Sequence, residues 1–409
     1  MQRSSIAVVL AAGVALSGLL AAPASAAPGD PASGWSSRQG LAHRDLDISG
    51  SGRVFTVELP RPGTRDRAYL ENGVADDWSR VAVPGHSTGG VVAGPGDYAV
   101  AVTGNVSRVF DGTTWADPVT ITDEIASSTL VGNVAGEAAL LWNASDGEPY
   151  LSRLSPGGTW QTSRIPGLPA GASRDLVLTD TGKITVIWVE PGTETSDVRR
   201  SVLHAGSSTW STPASLGTVD SPRPKLMIAA DGQSRETLQV GNRLWRQLTV
   251  NAFPTYRFRT SGLAQLATGA TGTRVVWPVK TGGRYEVRTR YIEQDWSPEA
   301  VLWSRAVPAA AACDLGIEVG AGMVPSGRSY VALGIRHEVD ACGGVEIAEV
   351  LTVDRRDGLL NRVPIGHYMT GGPFQVDAAA RGPVAVEYEY EHTDINNADG
   401  LWYMRFFSR

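Results

Sequence analysis

Residues 173–217 read SRDLVLTDTGKITVIWVEPGTETSDVRRSVLHAGSSTWSTPASLG, and this stretch predicts one unit of four antiparallel strands. Two runs rich in β-branched residues, 175–179 and 184–188, are separated by an Asp-Thr-Gly turn, and a polar loop leads to a third run at 198–203. A tryptophan turn follows, and a fourth strand is expected near 213–216. Short apolar runs that alternate with Gly and Asp turns are typical of β-hairpins.

The same tryptophan turn recurs along the chain, which indicates an internal repeat. It is found at Trp35, Trp78, Trp115, Trp160, Trp210 and Trp296. The gaps between these residues are 37 to 50 positions except for the last, which is 86, so we expect that one repeat near residue 250 has lost its tryptophan. Four strands in a repeat of this length are typical of a β-propeller blade.

The number of repeats predicts how many blades there are. Seven repeats start near residues 45, 86, 128, 173, 222, 261 and 311, and three more strands are expected from 374 to 409. Residues 35–42 would supply the fourth strand of that last blade. The predicted fold is therefore all-β: a β-propeller over residues 35–409 with eight four-stranded blades, or seven as the alternative, whose ring is closed by an N-terminal strand joining the C-terminal blade.

The first residues predict export of the protein. Arg3 precedes an apolar run at 6–20, and Ala24-Ser-Ala26 completes the pattern of a signal peptide over residues 1–26, followed by a short segment at 27–34. The protein is expected to be secreted and extracellular. No later stretch approaches the roughly 18 apolar residues of a membrane helix, so membrane insertion is not expected. In an exported chain, Cys313 and Cys342 predict a disulfide.

Composition and motifs limit the classes of partner that the protein is expected to bind. The chain is 42% hydrophobic and 19% charged, which is typical of a globular protein, and its net charge of −6 without a basic stripe argues against nucleic acid. No nucleotide, zinc-protease or C-x-x-C motif is present, and a calcium-like run at 394–400 has a shifted spacing and Arg405 in place of the ligating glutamate. We therefore expect no metal or cofactor, and a monomer.

Two of the tryptophan turns resemble the Asp-box repeats of sialidase-like and related sugar-binding propellers. Asp111-Gly-Thr-Thr-Trp115 keeps an Asp, a Gly and the Trp, and Ser155-Pro-Gly-Gly-Thr-Trp160 keeps a Ser, a Gly and the Trp. The resemblance implies a propeller in which these tryptophans stabilise the turn between the third and fourth strands, away from the ligand. It does not supply the catalytic arginines, tyrosine and acids of sialidases, because no such set can be assigned here.

Three other tryptophans are candidates for binding sugar. Trp142, Trp188 and Trp277 stand near the ends of predicted second strands, next to loops on the face of the ring where propellers usually bind ligands. They could form stacking platforms for sugar rings. The alternative is that they fill the space between blades.

Polar residues predict an acidic pocket on that same face, built by the seventh, composite and first blades. The seventh blade would supply Arg336, His337, Glu338 and Asp340, and the first blade Glu58, Arg61, Arg65 and Asp66. The composite blade would supply Glu387, Glu389, Glu391, His392 and Asp394. The alternative is a set of solvated loop charges.

These features favour a secreted binding module for a carbohydrate or for a cell-envelope or extracellular protein, without catalytic activity. One alternative is a glycan-cleaving, sialidase-like hydrolase, which would need two facing carboxylates from Glu338, Asp340, Glu391 and Asp394. A scaffold or inhibitor protein is the second alternative.

Overall fold

The computed structural model describes most of the chain after the predicted leader. The described residues are 35–40, 43–58, 67–74, 77–84, 88–192, 194–221, 224–246, 258–260, 264–293, 295–306, 315–337, 347–366, 374–379, 384–390 and 401–407. The predicted signal peptide and the segment at 27–34 lie outside them. In these ranges, no helix has the length and apolarity that a membrane span requires.

The described residues form eight antiparallel sheets of four strands each, here called blades one to eight. The first described strand, β1 (Trp35–Gly40), belongs to blade eight. Blade one contains β2 (His43–Ile48), β3 (Val54–Glu58), β4 (Arg67–Val74) and β5 (Asp77–Pro84). Blade two contains β6 (Gly89–Ala93), β7 (Tyr98–Thr103), β8 (Val106–Asp111) and β9 (Val119–Thr120). Blade three contains β10 (Ser127–Gly132), β11 (Ala138–Asn143), β12 (Pro149–Leu154) and β13 (Gln161–Arg164). Blade four contains β14 (Arg174–Leu178), β15 (Ile184–Pro191), β16 (Ser196–Leu203) and β17 (Ala214–Val219).

The remaining strands complete the set. Blade five contains β18 (Leu226–Ala230), β19 (Glu236–Val240), β20 (Arg243–Arg246) and β21 (Phe258–Arg259). Blade six contains β22 (Gln265–Thr268), β23 (Thr273–Thr281), β24 (Arg284–Ile292) and β25 (Ala300–Ala306). Blade seven contains β26 (Leu315–Met323), β27 (Ser329–His337), β28 (Ile347–Val353) and β29 (Leu359–Gly366). Blade eight adds β30 (Gln375–Ala378), β31 (Val384–Tyr390) and β32 (Leu401–Phe407) to β1.

Blade eight is composite, as the sequence predicts. Its strand order is β1-β32-β31-β30, and β1 pairs with β32 in a register that places Trp35 opposite Phe407. The N-terminal strand is therefore the outermost strand of the last blade. The described residues form eight blades, so the seven-blade alternative is wrong.

The core lies in the seams between neighbouring blades. Each blade packs a layer of apolar side chains against the next one, and Leu46 and Ile48 of blade one pack on Ala379 and Ala385 of blade eight in the same way. Burial of an aliphatic side chain of this size contributes about 1.5–3 kcal/mol. The first strands contact one another in the series β2, β6, β10, β14, β18, β22, β26, β30, and β30 also contacts β2.

Small residues permit this close approach of the first strands. A Cβ atom on Gly132 would lie 2.8 Å from the Cβ of Val92, and one on Gly322 would lie 2.7 Å from the carbonyl oxygen of Val376. Distances this short exclude a side chain unless the backbone moves. Glycine in these strands is therefore a packing requirement of neighbouring blades.

Four of the six tryptophan turns, those of Trp115, Trp160, Trp210 and Trp296, lie between third and fourth strands as the sequence predicts. Trp78 instead lies within the fourth strand β5, and Trp35 begins β1. Trp160 and Trp210 each reach the preceding blade, where their Nε1–H groups donate to Ser107 Oγ at 2.7 Å and Ser163 Oγ at 3.0 Å. Trp115 packs edge-to-face on Phe55 of blade one, with ring centroids 5.9 Å apart. These side chains join adjacent blades.

Candidate functional site

The three tryptophans expected to stack on sugar are buried. Trp142, Trp188 and Trp277 lie on the second strands β11, β15 and β23, as predicted, but their exposed fractions are 4%, 0% and 2%. An indole without an exposed face offers no platform to a sugar ring. The platform prediction is therefore wrong for these residues in this structure, and the alternative, that they fill space between blades, describes them.

The predicted acidic pocket falls largely on residues that the structure does not describe. Arg336 and His337 are the last two residues of β27, at the end of the strand where the pocket was expected. Glu338, Asp340, Glu391, His392 and Asp394 lie outside the described residues, as do Cys313 and Cys342. The pocket and the disulfide stay predictions.

A large cavity lies at the axis of the blades, and we call it the axial cavity. Its volume is about 980 Å³, at the upper end of the range for ligand sites. All eight blades line it with the ends of their first strands and with the turns that follow. Its polar side chains include Asp47, Ser49, Ser51, Asn133, Asp180, Thr268 and Asp377.

The axial cavity opens at the end of the blades opposite to the face that the sequence analysis favoured. The turns at its rim join first to second strands, and several of them place glycine in the left-handed region. Gly52, Gly136, Gly182 and Gly327 have φ values of 95°, 80°, 77° and 90°. Such a turn closes a hairpin tightly, so the first strand ends at the rim without a long loop covering the cavity.

Aspartate side chains complete the inner edge of the first strands. Since each first strand pairs with only one partner, its other edge has N–H groups without a partner in the sheet. Asp47 Oδ2 of blade one accepts from the Ala93 N–H of blade two at 2.7 Å, and Asp175 Oδ2 of blade four accepts from the Ile228 N–H of blade five at 2.9 Å. A carboxylate thus links two blades and satisfies an edge donor.

At the seam between blades eight and one, two carboxylates meet. Asp47 Oδ1 and Asp377 Oδ2 both accept from the Ile48 N–H, at 2.8 and 2.7 Å. Burial and the neighbouring Asp377 raise the pKa of Asp47 well above its ordinary value. Two carboxyls this close favour a form in which one proton is retained.

The charged side chains described in the lining of the axial cavity are all acidic. Asp47, Asp180 and Asp377 line it, and none of the described residues in its lining is a lysine, arginine or histidine. Burial raises the pKa of Asp180, and the negative charge of Asp231 adds to this effect. The cavity is therefore suited to neutral or cationic groups and unfavourable for anions.

The sequence analysis did not identify these aspartates. Asp47 and Asp377 each stand between two apolar residues of a short first strand, and Asp175 is followed by the apolar run 176–178. A single carboxylate in such a strand needs a donor, and this signal could have indicated the seams. Among the described residues, no group of three or more His, Cys, Asp or Glu side chains could hold a metal ion.

Comparison with known proteins gives likenesses of architecture alone. No family model matches the chain, and no curated protein matches it either. A lectin from Burkholderia pseudomallei, BP39L, aligns over 81% of this chain and 99% of its own with 12% identity and a TM-score of 0.45. The polysaccharide lyase Uly1 aligns over 89% of both chains with 9% identity and a TM-score of 0.42. An α-L-arabinanase from Penicillium chrysogenum aligns over 68% of this chain and 91% of its own with 11% identity and a TM-score of 0.36. At these levels the likenesses carry no argument about function.

Proposed function

We propose that this protein is an exported binding module that holds a carbohydrate in its axial cavity. The observation that carries the proposal is the cavity itself, about 980 Å³ in volume and lined by all eight blades. Sugar hydroxyls both donate and accept hydrogen bonds. Carboxyl groups, hydroxyls and backbone groups at the cavity wall match them.

The charge of the axial cavity narrows the carbohydrate class. Three acidic side chains without a basic residue in the described lining disfavour acidic sugars and favour neutral or amino sugars. Asp47 and Asp377 bond to the same N–H and so do not form the facing pair of a glycosidase, and cleavage in this cavity would need one of them together with Asp180 of blade four. Glycoside cleavage needs carboxylates on two sides of the scissile bond.

The test compares retention of protein beginning at residue 27 on a glycan array and on cell-wall material. Val134 lines the axial cavity and is 67% exposed, so Val134→Trp narrows the mouth without disturbing the core. We expect this variant to lose at least tenfold in apparent affinity. Val119→Trp is the matched control, because Val119 is 52% exposed on the outermost strand of blade two.

Two results would contradict the proposal. Equal retention of wild type and Val134→Trp would place the ligand elsewhere, with an extracellular protein as the next class of partner. Release of a cleaved product from a captured glycan would favour the hydrolase alternative. In that case Glu338→Gln with Glu391→Gln would test the carboxylates predicted from the sequence.

A further inference from the structure

The seam between blades three and four contains two buried N–H donors without an acceptor. Arg174 Nη1 and Trp188 Nε1 are both closed to solvent, and neither has a hydrogen-bond partner in the described structure. A buried donor that stays unpaired lowers the stability of the fold. Two such donors in one seam indicate that an acceptor belongs there.

The fold places the two residues side by side. Arg174 on β14 and Trp188 on β15 are directly opposite each other in the antiparallel pairing, so both side chains project from the same face of blade four. That face is turned to blade three. Arg174 Nη2 donates to Asn143 Oδ1 at 2.5 Å, and Trp188 packs with Leu141 and Leu151.

Among the described residues, no carboxylate forms an ion pair with Arg174. Its partner Asn143 is neutral and donates in turn to Ser127 Oγ at 3.0 Å. Burial lowers the pKa of the Arg174 guanidinium, with no acidic neighbour to oppose the effect. Two arginines that are fully buried differ from the partly buried Arg174 in this respect, since Arg246 bonds to Asp231 at 2.6 Å and Arg274 bonds to Asp357.

We infer that this seam binds a small monovalent anion, of halide to formate size, between Arg174 and Trp188. A guanidinium N–H and an indole N–H are both donors, and an anion would satisfy the two nitrogens and neutralise the uncompensated charge. Because both nitrogens are closed to solvent, the bound group is small. The site lies near the start of β14, away from the acidic wall of the axial cavity, and it does not depend on the proposed function.

The first experiment locates the anion directly. Crystals of the mature protein soaked in sodium bromide should give an anomalous bromine peak within about 3.5 Å of Arg174 Nη1 and Trp188 Nε1. The second compares melting temperatures in sodium bromide and sodium gluconate at equal ionic strength. We expect the wild type to melt at a higher temperature in bromide.

Three variants make the stability measurement specific. Trp188→Phe keeps the ring in the core and removes one donor, and Arg174→Gln removes the charge, so both should lose the bromide-dependent rise. Arg199→Gln is the control. Arg199 also stands opposite Trp188 in the sheet, but Glu190 and Asp197 pair with it at 2.9 Å, so this variant should keep the rise.

The inference is overturned by an absent bromine peak, which would leave an ordered water as the acceptor. It is equally overturned if Trp188→Phe and Arg174→Gln keep the full bromide effect while folded. Because Trp188→Phe removes a donor that has no protein partner, it should fold in gluconate with a melting temperature close to that of the wild type.

Discussion

Asp175 shows what a single carboxylate does in a seam of this protein. Its Oδ2 accepts from the Ile228 N–H of the next blade at 2.9 Å, and burial raises its pKa to about 6. Since the folded-state pKa lies above the ordinary value, the folded state binds the proton more tightly. The unfolding free energy should therefore fall as pH rises from about 4 to about 6 and should stay level above that range.

Asp175→Asn should remove this part of the pH dependence. The amide oxygen can still accept from Ile228, but it does not ionise. Between pH 4 and pH 7 we expect the variant to lose less unfolding free energy than the wild type, by about 1–3 kcal/mol, measured by urea denaturation at both pH values. The control is Asp123→Asn at an exposed position, which should leave the difference unchanged. An unaltered pH dependence in Asp175→Asn would show that the carboxyl titrates normally.

At the scale of the elements, the turn between third and fourth strands contributes to stability by reaching the preceding blade. Trp210 and Trp115 occupy equivalent turns of blades four and two. The Trp210 Nε1–H donates to Ser163 Oγ at 3.0 Å, whereas the buried Nε1 of Trp115 has no partner in the described structure. The two turns therefore differ in one hydrogen bond.

This difference predicts that replacing tryptophan by phenylalanine changes the unfolding free energy differently in the two turns. Trp210→Phe should lower the unfolding free energy by about 1–2 kcal/mol, and adding Ser163→Ala should cost little more, because the shared bond is already lost. Trp115→Phe should leave the unfolding free energy unchanged or raise it, apart from a small loss of packing, because it removes a donor that has no partner in the described structure. Chemical denaturation of the single and double variants measures these values. Additive costs for Trp210 and Ser163 would contradict the role of the bond.

At the scale of the whole molecule, the seam between blades eight and one joins the two ends of the described chain. The shared Ile48 N–H brings Asp47 and Asp377 together, and the pKa of Asp47 is raised by burial and by Asp377. Because the folded-state pKa is the higher one, the stability of this seam should be lost as pH rises through it. Higher pH therefore weakens the junction on which the arrangement of blades depends.

Asp377→Asn tests this seam. The amide keeps an acceptor for Ile48 and removes one of the two like charges, so the melting temperature should fall less between pH 5 and pH 8 than in the wild type. Asp146→Asn, at an exposed loop position, should keep the wild-type difference. A pH dependence unchanged by Asp377→Asn would mean that the two carboxyls do not share a proton.

Periodicity predicted the blades well but did not predict the burial of the three candidate tryptophans. The tryptophan turns and the short strands gave the number of blades and the composite eighth blade, because both features are local and recur. Trp188 looked like a ligand platform because its place near a strand end is visible in the sequence. The complete burial of Trp188 is not visible in the sequence, since it depends on Leu141 and Leu151 of another blade.

The sequence by itself determined the strands, the turns and the pairing of Trp35 with the last blade, because hydrogen-bonded hairpins follow from the order of apolar, glycine and aspartate residues. Only the tertiary structure decided which polar groups meet. Asp47 and Asp377 are 330 positions apart in the chain, and the arrangement of blades brings both to Ile48. The axial cavity and the unpaired donors of Arg174 and Trp188 likewise arise from surfaces of separate blades, which no local pattern encodes.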